Sequence, residues 1–230
     1  MNLLLAASEQ AHDRLLDEGI PEERVVLVGS LACDAVASCL DRARASDAPA
    51  RAGLEPKQFA LAVVESPATI DHIANLTKLV DVLARAQEEL PVALCVNPRL
   101  VRKLEAWQLA DTVAQLPRLS NVEPRGYVEF LSLLDAARVV ITDVGGIQEE
   151  ATFLGVPCLT LAEATDRAAT VEAGMNTLVG LDAERMLQAL VALVQNEGAR
   201  RPARPALWDG STSRRIVDAL LAAVERDARG

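Results

Sequence analysis

Aromatic side chains make up only 3 % of this 230-residue chain, so the core it builds must be aliphatic, drawn from leucine, valine and alanine. Histidine is scarcer still. His12 and His72 are too few and too far apart to suggest a metal site, and each reads as a residue of a surface helix. The four cysteines, Cys33, Cys39, Cys95 and Cys158, show no C-x-x-C spacing and sit in apolar or helical contexts, which suits buried, reduced thiols in the cytoplasm. Positive charge is short by ten, a balance that disfavours nucleic acid and anionic membranes as partners. No apolar run is long enough to span a bilayer. Met1 to Ala7 has no basic region ahead of its leucines and reads as a strand rather than a signal peptide. No Ser/His/Asp, Cys/His or paired-carboxylate arrangement stands out, and no cofactor motif is present.

What the chain does have is alternation. Half its residues are hydrophobic. Short, mostly apolar runs at 3–7, 25–29, 59–64, 92–96, 121–123, 139–142, 156–161 and 178–179 read as strands, the clearest being the β-branched run at 139–142. Between them lie helical patterns over 8–19, 33–44, 68–90, 100–116, 128–136, 147–154 and 183–194, with a last one over 211–225. That order predicts an α/β fold with a parallel sheet and helices on both faces. Ligands in such sheets bind beyond the carboxyl ends of the strands, which places the candidate site in the loops after 64, 96, 124, 142 and 161.

The stretch from Arg138 to Gly180 is the most informative. The strand Val139-Val140-Ile141-Thr142 leads through Asp143-Val144 into Gly145-Gly146, which opens a helix. Bare backbone N–H groups and the positive helix end there offer a place for phosphate, or simply make a tight turn. The wording is more specific: Thr142 to Glu150 (T-D-V-G-G-I-Q-E-E), then Ala164-Thr165-Asp166-Arg167, then Val171 to Gly180 (V-E-A-G-M-N-T-L-V-G). These segments strongly resemble the UDP-N-acetylglucosamine 2-epimerase family, where the run is T-D-S-G-G-I-Q-E-E. The resemblance extends to Ala6–Ile20 and Val26–Val36 near the start and to Trp208–Leu220 near the end.

The resemblance implies the second half of a GT-B-type, two-domain fold: a Rossmann-like, doubly wound parallel sheet over residues 58–205. Ahead of it would stand a β-α-β-α remnant of the first domain (1–44) and a linker (45–57), and behind it a crossing carboxyl-terminal helix (206–230). It also implies UDP or a UDP-sugar as ligand. Gly145 and Gly146 match the diphosphate-binding glycines, and Glu150 the acid that accepts the ribose hydroxyls. Phe130 falls beside the uracil, Arg167 on an arginine that contacts the nucleotide, and Arg125 is a further nearby cation. Ordinary readings stand beside these: Phe130 as core, Glu149 and Glu150 as first-turn acids, Arg167 as a solvated loop charge.

The departures cluster at the same place. The family's first histidine and arginine are replaced by Glu65 and Ser66, its second histidine by Asn97, and the serine before the glycines by Val144. Losing a hydroxyl donor to an anion costs on the order of 1.5–3 kcal/mol. A carboxylate at Glu65, facing a diphosphate at ~5 Å and an effective dielectric of ~20, costs about 3 kcal/mol per charge pair. The family's proposed acid and base also lie upstream of the matched text. Two expectations follow. One is an epimerase-like module without catalysis of its own and with weak or lost UDP-sugar binding. The other is a fragment or partner subunit of an active epimerase, which eliminates UDP and re-adds it from the other face to invert C2. In either case a homo-oligomer or a partner chain is expected, because the remnant and the last helix would each expose an apolar face.

Overall fold

The computed structural model describes residues 3–195 and 204–227. Eight strands form two parallel sheets. In the small one, β1 (Leu4–Ala6) pairs with β2 (Val25–Leu27). In the large one, β3 (Ala60–Val63), β4 (Val92–Cys95), β5 (Leu119–Val122), β6 (Val139–Thr142), β7 (Cys158–Thr160) and β8 (Asn176–Leu178) lie in the order β5-β4-β3-β6-β7-β8. This is the doubly wound, Rossmann-like order, with the chain switching direction across the sheet between β3 and β6. Every residue of β3, β4 and β6 is buried, which is why these strands read as continuous apolar runs rather than alternating ones.

Alternate residues of each strand feed opposite layers. Leu61, Val63, Ala93, Val140 and Cys158 join α2 (Leu31–Arg44), α8 (Tyr127–Ala136) and α9 (Gly145–Leu154) on one face. Ala62, Leu94, Val139, Ile141 and Leu159 face the other layer, built from α5 (Ile73–Glu89), α6 (Pro98–Ala106) and α11 (Ala183–Gln195). The few aromatics fit the aliphatic expectation: Phe59 and Phe153 are the only Phe rings in the buried core.

The amino-terminal strands and the carboxyl-terminal helix interlock. After α1 (Glu9–Asp17), which Ser8 caps, α2 packs against both α8 and α9, and α12 (Thr212–Asp227) lies across α2. The Trp208 indole is buried and donates to the Ala7 carbonyl at 2.8 Å. Gly29, at φ +94°, passes so close to the Leu207 carbonyl that an added Cβ would sit 2.3 Å from its oxygen. Only glycine fits there. Outward from this junction, α12 exposes Val217, Leu220, Leu221 and Val224 at one-turn spacing, and Leu5 and Leu31 are also exposed.

Several expectations are refined. The stretch read as a linker carries a short helix, α3 (Ala48–Arg51), with Ala48 and Pro49 buried. The helix expected over 68–90 is two, α4 (Pro67–Ile70) and α5, because Ser66 caps the first and the chain turns at Asp71-His72. The helix expected over 100–116 breaks at Gln108, which adopts φ +57°, and resumes as α7 (Ala110–Ala114). A further helix, α10 (Ala168–Glu172), occupies the loop after β7. His12 lies on α1 beside Asp13, whereas exposed His72 sits at the cap of α5 rather than within a helix. All four cysteines are free; Cys33, Cys95 and Cys158 are buried, with burial pushing their thiols up to about 12, and Cys39 is half-buried. Among the described residues no helix is long and apolar enough to cross a membrane. Residues 196–203, which the sequence reads as part of an Arg-, Pro- and Gly-rich loop over 196–209, lie outside the described residues.

Candidate functional site

The registers of β3 with β4 and β6 bring Val63, Cys95 and Thr142 level, so the loops that follow them start side by side at the switch point. Between these loops and the start of α8 lies a cavity of about 940 Å³. Its lining includes Glu65 after β3, Asn97 after β4, Tyr127 and Phe130 on α8, and Val144, Gly146 and Glu150 at the start of α9. Six of the ten residues singled out from the sequence, Glu65, Asn97, Phe130, Val144, Gly146 and Glu150, therefore converge on one site.

Asp143, Ser66 and Asn97 hold these loops. The Asp143 carboxylate accepts the backbone N–H groups of Glu65 at 2.9 Å and Ser66 at 3.2 Å, tying the β3 loop to the β6 loop. Ser66 caps α4 by accepting from the Ala68 N–H at 3.2 Å. Asn97 caps α6 through the Leu100 N–H at 2.9 Å and donates to the Val64 carbonyl at 2.9 Å. Asparagine at this position therefore has a structural occupation of its own. The Val144 N–H donates to the Thr142 hydroxyl at 3.1 Å, but its side chain offers no cap, and no hydrogen-bond acceptor for the N–H groups of Gly145, Gly146 and Ile147 is found among the described residues. An uncapped helix start faces the cavity at Gly146, where an added Cβ would meet nothing within 4 Å.

Glu150 points into the cavity from α9 and accepts a hydrogen bond from the Tyr127 hydroxyl at 2.9 Å. Burial raises its pKa, with the Tyr127 bond opposing and neighbouring Glu149 adding to the rise. Burial and the Glu150 charge push the Tyr127 phenol up as well. The Tyr127 and Phe130 rings, with centroids 6.4 Å apart, form an aromatic wall. Tyr127 was missed from the sequence; the signal was there, since the only tyrosine of an aromatic-poor chain stands three residues before Phe130, on the same helical face. Arg102 and Glu123 also line the cavity and were not anticipated.

The remaining candidates sit elsewhere. Gly145 packs beneath Arg167, whose guanidinium pairs with Glu149 at 3.1 Å and Asp166 at 2.7 Å rather than lining the cavity. Arg125 borders a separate, smaller hollow beside Glu129. Arg99 forms a two-point ion pair with Asp71. Glu149 is not a solvated first-turn acid: it is 8 % exposed, receives the Ser30 hydroxyl at 2.9 Å, and so bolts the amino-terminal segment to α9. Burial raises its pKa, against the pull of Ser30 and Arg167.

The rest of the motif builds a buried network. Asn176 Nδ2 donates to Gln148 Oε1 and to the Thr170 hydroxyl, both at 3.0 Å, and Asn176 Oδ1 accepts from Thr160 at 2.7 Å. Thr165 donates to the same Gln148 oxygen at 2.7 Å. Asn176 and Gln148 are each 3 % exposed, so these bonds are not optional. They fix the 165–170 loop against α9.

Fold and site together define a Rossmann-like α/β unit with a cleft at its topological switch point. Over residues 2–221 the chain matches the family model described as UDP-N-acetylglucosamine 2-epimerase, and it belongs to that family. It is 31 % identical over 222 residues to the UDP-N-acetylglucosamine 2-epimerase of Methanocaldococcus jannaschii, covering 94 % of this chain and 60 % of that protein. It is 30 % identical to a UDP-2,3-diacetamido-2,3-dideoxy-D-glucuronate 2-epimerase of Pseudomonas aeruginosa, over 86 % of this chain and 55 % of that one. The crystal structure of the M. jannaschii enzyme in complex with UDP-GlcNAc and UDP superposes with a TM-score of 0.82 at 29 % identity, over 94 % of this chain and 61 % of that chain. The chain thus spans about three fifths of the length of these relatives.

Proposed function

We propose that this chain is a UDP-sugar-cleft module of the epimerase family that does not catalyse 2-epimerisation on its own and binds UDP-sugars weakly or not at all. One observation carries the reading: Glu65, Asn97 and Val144 converge on the cavity at the start of α9. They stand where the resemblance puts two histidines and a serine. Of the nearby cations that could compensate, Arg99 is paired to Asp71 and Arg125 borders a separate hollow, while the loop cation Arg167 is paired to Glu149. No histidine lines the cavity to move a proton. On this reading residues 1–44 correspond to the end of a first domain, joined by 45–57 to the nucleotide-type unit over 58–205, with 206–230 as the crossing helix. Four free thiols accord with a cytoplasmic setting.

Calorimetric titration with UDP tests the cleft assignment. The double variant Glu65→His, Val144→Ser should bind at least about tenfold tighter than the parent, since one ~3 kcal/mol repulsion exceeds the ~1.4 kcal/mol of a decade. If both bind UDP equally, or neither binds it, the cleft is not a nucleotide site. A second reading, a component that works only when completed by another chain or copy, is favoured by the apolar stripe of α12 with Leu5 and Leu31 beside it.

A further inference from the structure

We propose that the cavity takes a neutral nucleoside in preference to the corresponding nucleoside diphosphate, so that its selectivity is the reverse of what a diphosphate-sugar site requires. This rests on the reading of the cleft as a nucleotide-type site and specifies which part of a nucleotide it still accepts.

The two ends of the cavity differ in chemistry. At one end the Tyr127 and Phe130 rings, tilted 30° to each other, offer an apolar aromatic wall for a flat base. Beside them stands Glu150. One of its oxygens holds the Tyr127 hydroxyl at 2.9 Å, and the other has no hydrogen-bond partner among the described residues. A carboxylate placed between an aromatic wall and an uncapped helix start is an acceptor for a sugar hydroxyl, and a charge-assisted acceptor is a strong one. A base together with a hydroxylated sugar matches this end.

The other end opposes phosphate. Among the described residues, the charged groups lining the cavity are the carboxylates of Glu65, Glu123 and Glu150 against the single guanidinium of Arg102, which already donates through Nε to the Pro98 carbonyl at 3.0 Å. Arg99 and Arg167, which would only cancel this excess, are engaged by Asp71 and by Glu149 with Asp166. The N–H groups at the start of α9 supply a partial positive charge of about half a unit. That is less than one carboxylate, and these N–H groups serve a neutral hydroxyl or a water as well as an anion. Each phosphate added to a nucleoside therefore brings negative charge into a site that already carries an excess of it. The loss should shrink as salt screens the open mouth of the cavity.

The test is calorimetry with uridine, UMP and UDP on the parent chain at pH 7.5 and low ionic strength, without added divalent cation. Uridine should bind tightest, and UDP at least about tenfold more weakly, a difference of about 1.4 kcal/mol. Glu65→Gln, at an exposed side chain, should raise UDP affinity several-fold more than uridine affinity, and Glu150→Gln should weaken uridine several-fold. UDP binding tighter than uridine in the parent overturns the inference while leaving a nucleotide cleft in place. An unchanged uridine-to-UDP ratio in Glu65→Gln overturns the electrostatic assignment on which it rests. If none of the three ligands binds at millimolar concentration, both the inference and the nucleotide-cleft reading fall.

Discussion

Asp34 is predicted to hold the two ends of the chain together, and its removal should loosen the last helix before anything else. Its carboxylate, on α2, accepts the backbone N–H groups of Thr212 at 2.9 Å and Ser213 at 2.6 Å, the first turn of α12. It is thus a helix cap supplied from another helix, reinforced by the Thr212 hydroxyl donating to the Ser30 carbonyl at 3.1 Å. Asp34→Ala leaves two N–H groups to water and removes a negative charge from a helix start, which should cost about 1–2 kcal/mol. Burial acts to raise the Asp34 pKa, but the Ser213 and Thr212 bonds outweigh it and the carboxyl titrates below its ordinary value of 3.8. A depressed folded-state pKa means the stabilisation is present above that ordinary value and is lost as pH falls through the lower folded one. Urea unfolding should therefore separate parent and Asp34→Ala at pH 7 and separate them less and less as pH falls below 3.8, while amide exchange in the first turns of α12 rises in the variant. Equal stability at pH 7 with unchanged exchange over residues 212–216 would refute the capping argument.

Other outcomes follow from the same geometry. Asn176→Ala should cost at least about 2–3 kcal/mol in urea unfolding, because it strands buried partners on Gln148, Thr160 and Thr170. Glu150→Gln should stabilise the chain at pH 7 and do little at pH 4: burial raises the Glu150 pKa, so the carboxyl's contribution is favourable below the ordinary value of 4.5 and is lost as pH rises through the folded one, a dependence the amide lacks. Light scattering at micromolar concentration should find a dimer or larger species, and Leu221→Glu on the exposed stripe of α12 should shift it toward monomer; a monomeric parent would count against the partner reading.

The large sheet was legible because its central strands are buried on both faces and read as short apolar runs, unbroken and β-branched in Val139 to Thr142. Helix ends were less so. The break at Gln108 comes from a left-handed backbone that no periodicity announces, and α10 lies in a loop whose order comes from Gln148 and Asn176, distant in sequence. At the site, the residues beside the glycine pair and after β3 and β4 could be located, since topology places those loops together. The occupation of Arg167 by Glu149 could not, because it depends on where the amino-terminal segment docks through Ser30. Asn97 is instructive in the same way: a departure that reads from sequence as a lost histidine proves to cap α6 and tether Val64.

The most direct test of the proposed function is the chemistry itself. The purified chain is incubated with UDP-N-acetylglucosamine, and the anomeric and C2 proton signals are followed by NMR against a protein-free control. Absence of the 2-epimer above that control is predicted, because the cavity combines Glu65 in place of a histidine with no other histidine on its walls. Formation of the 2-epimer by the chain alone would contradict the account.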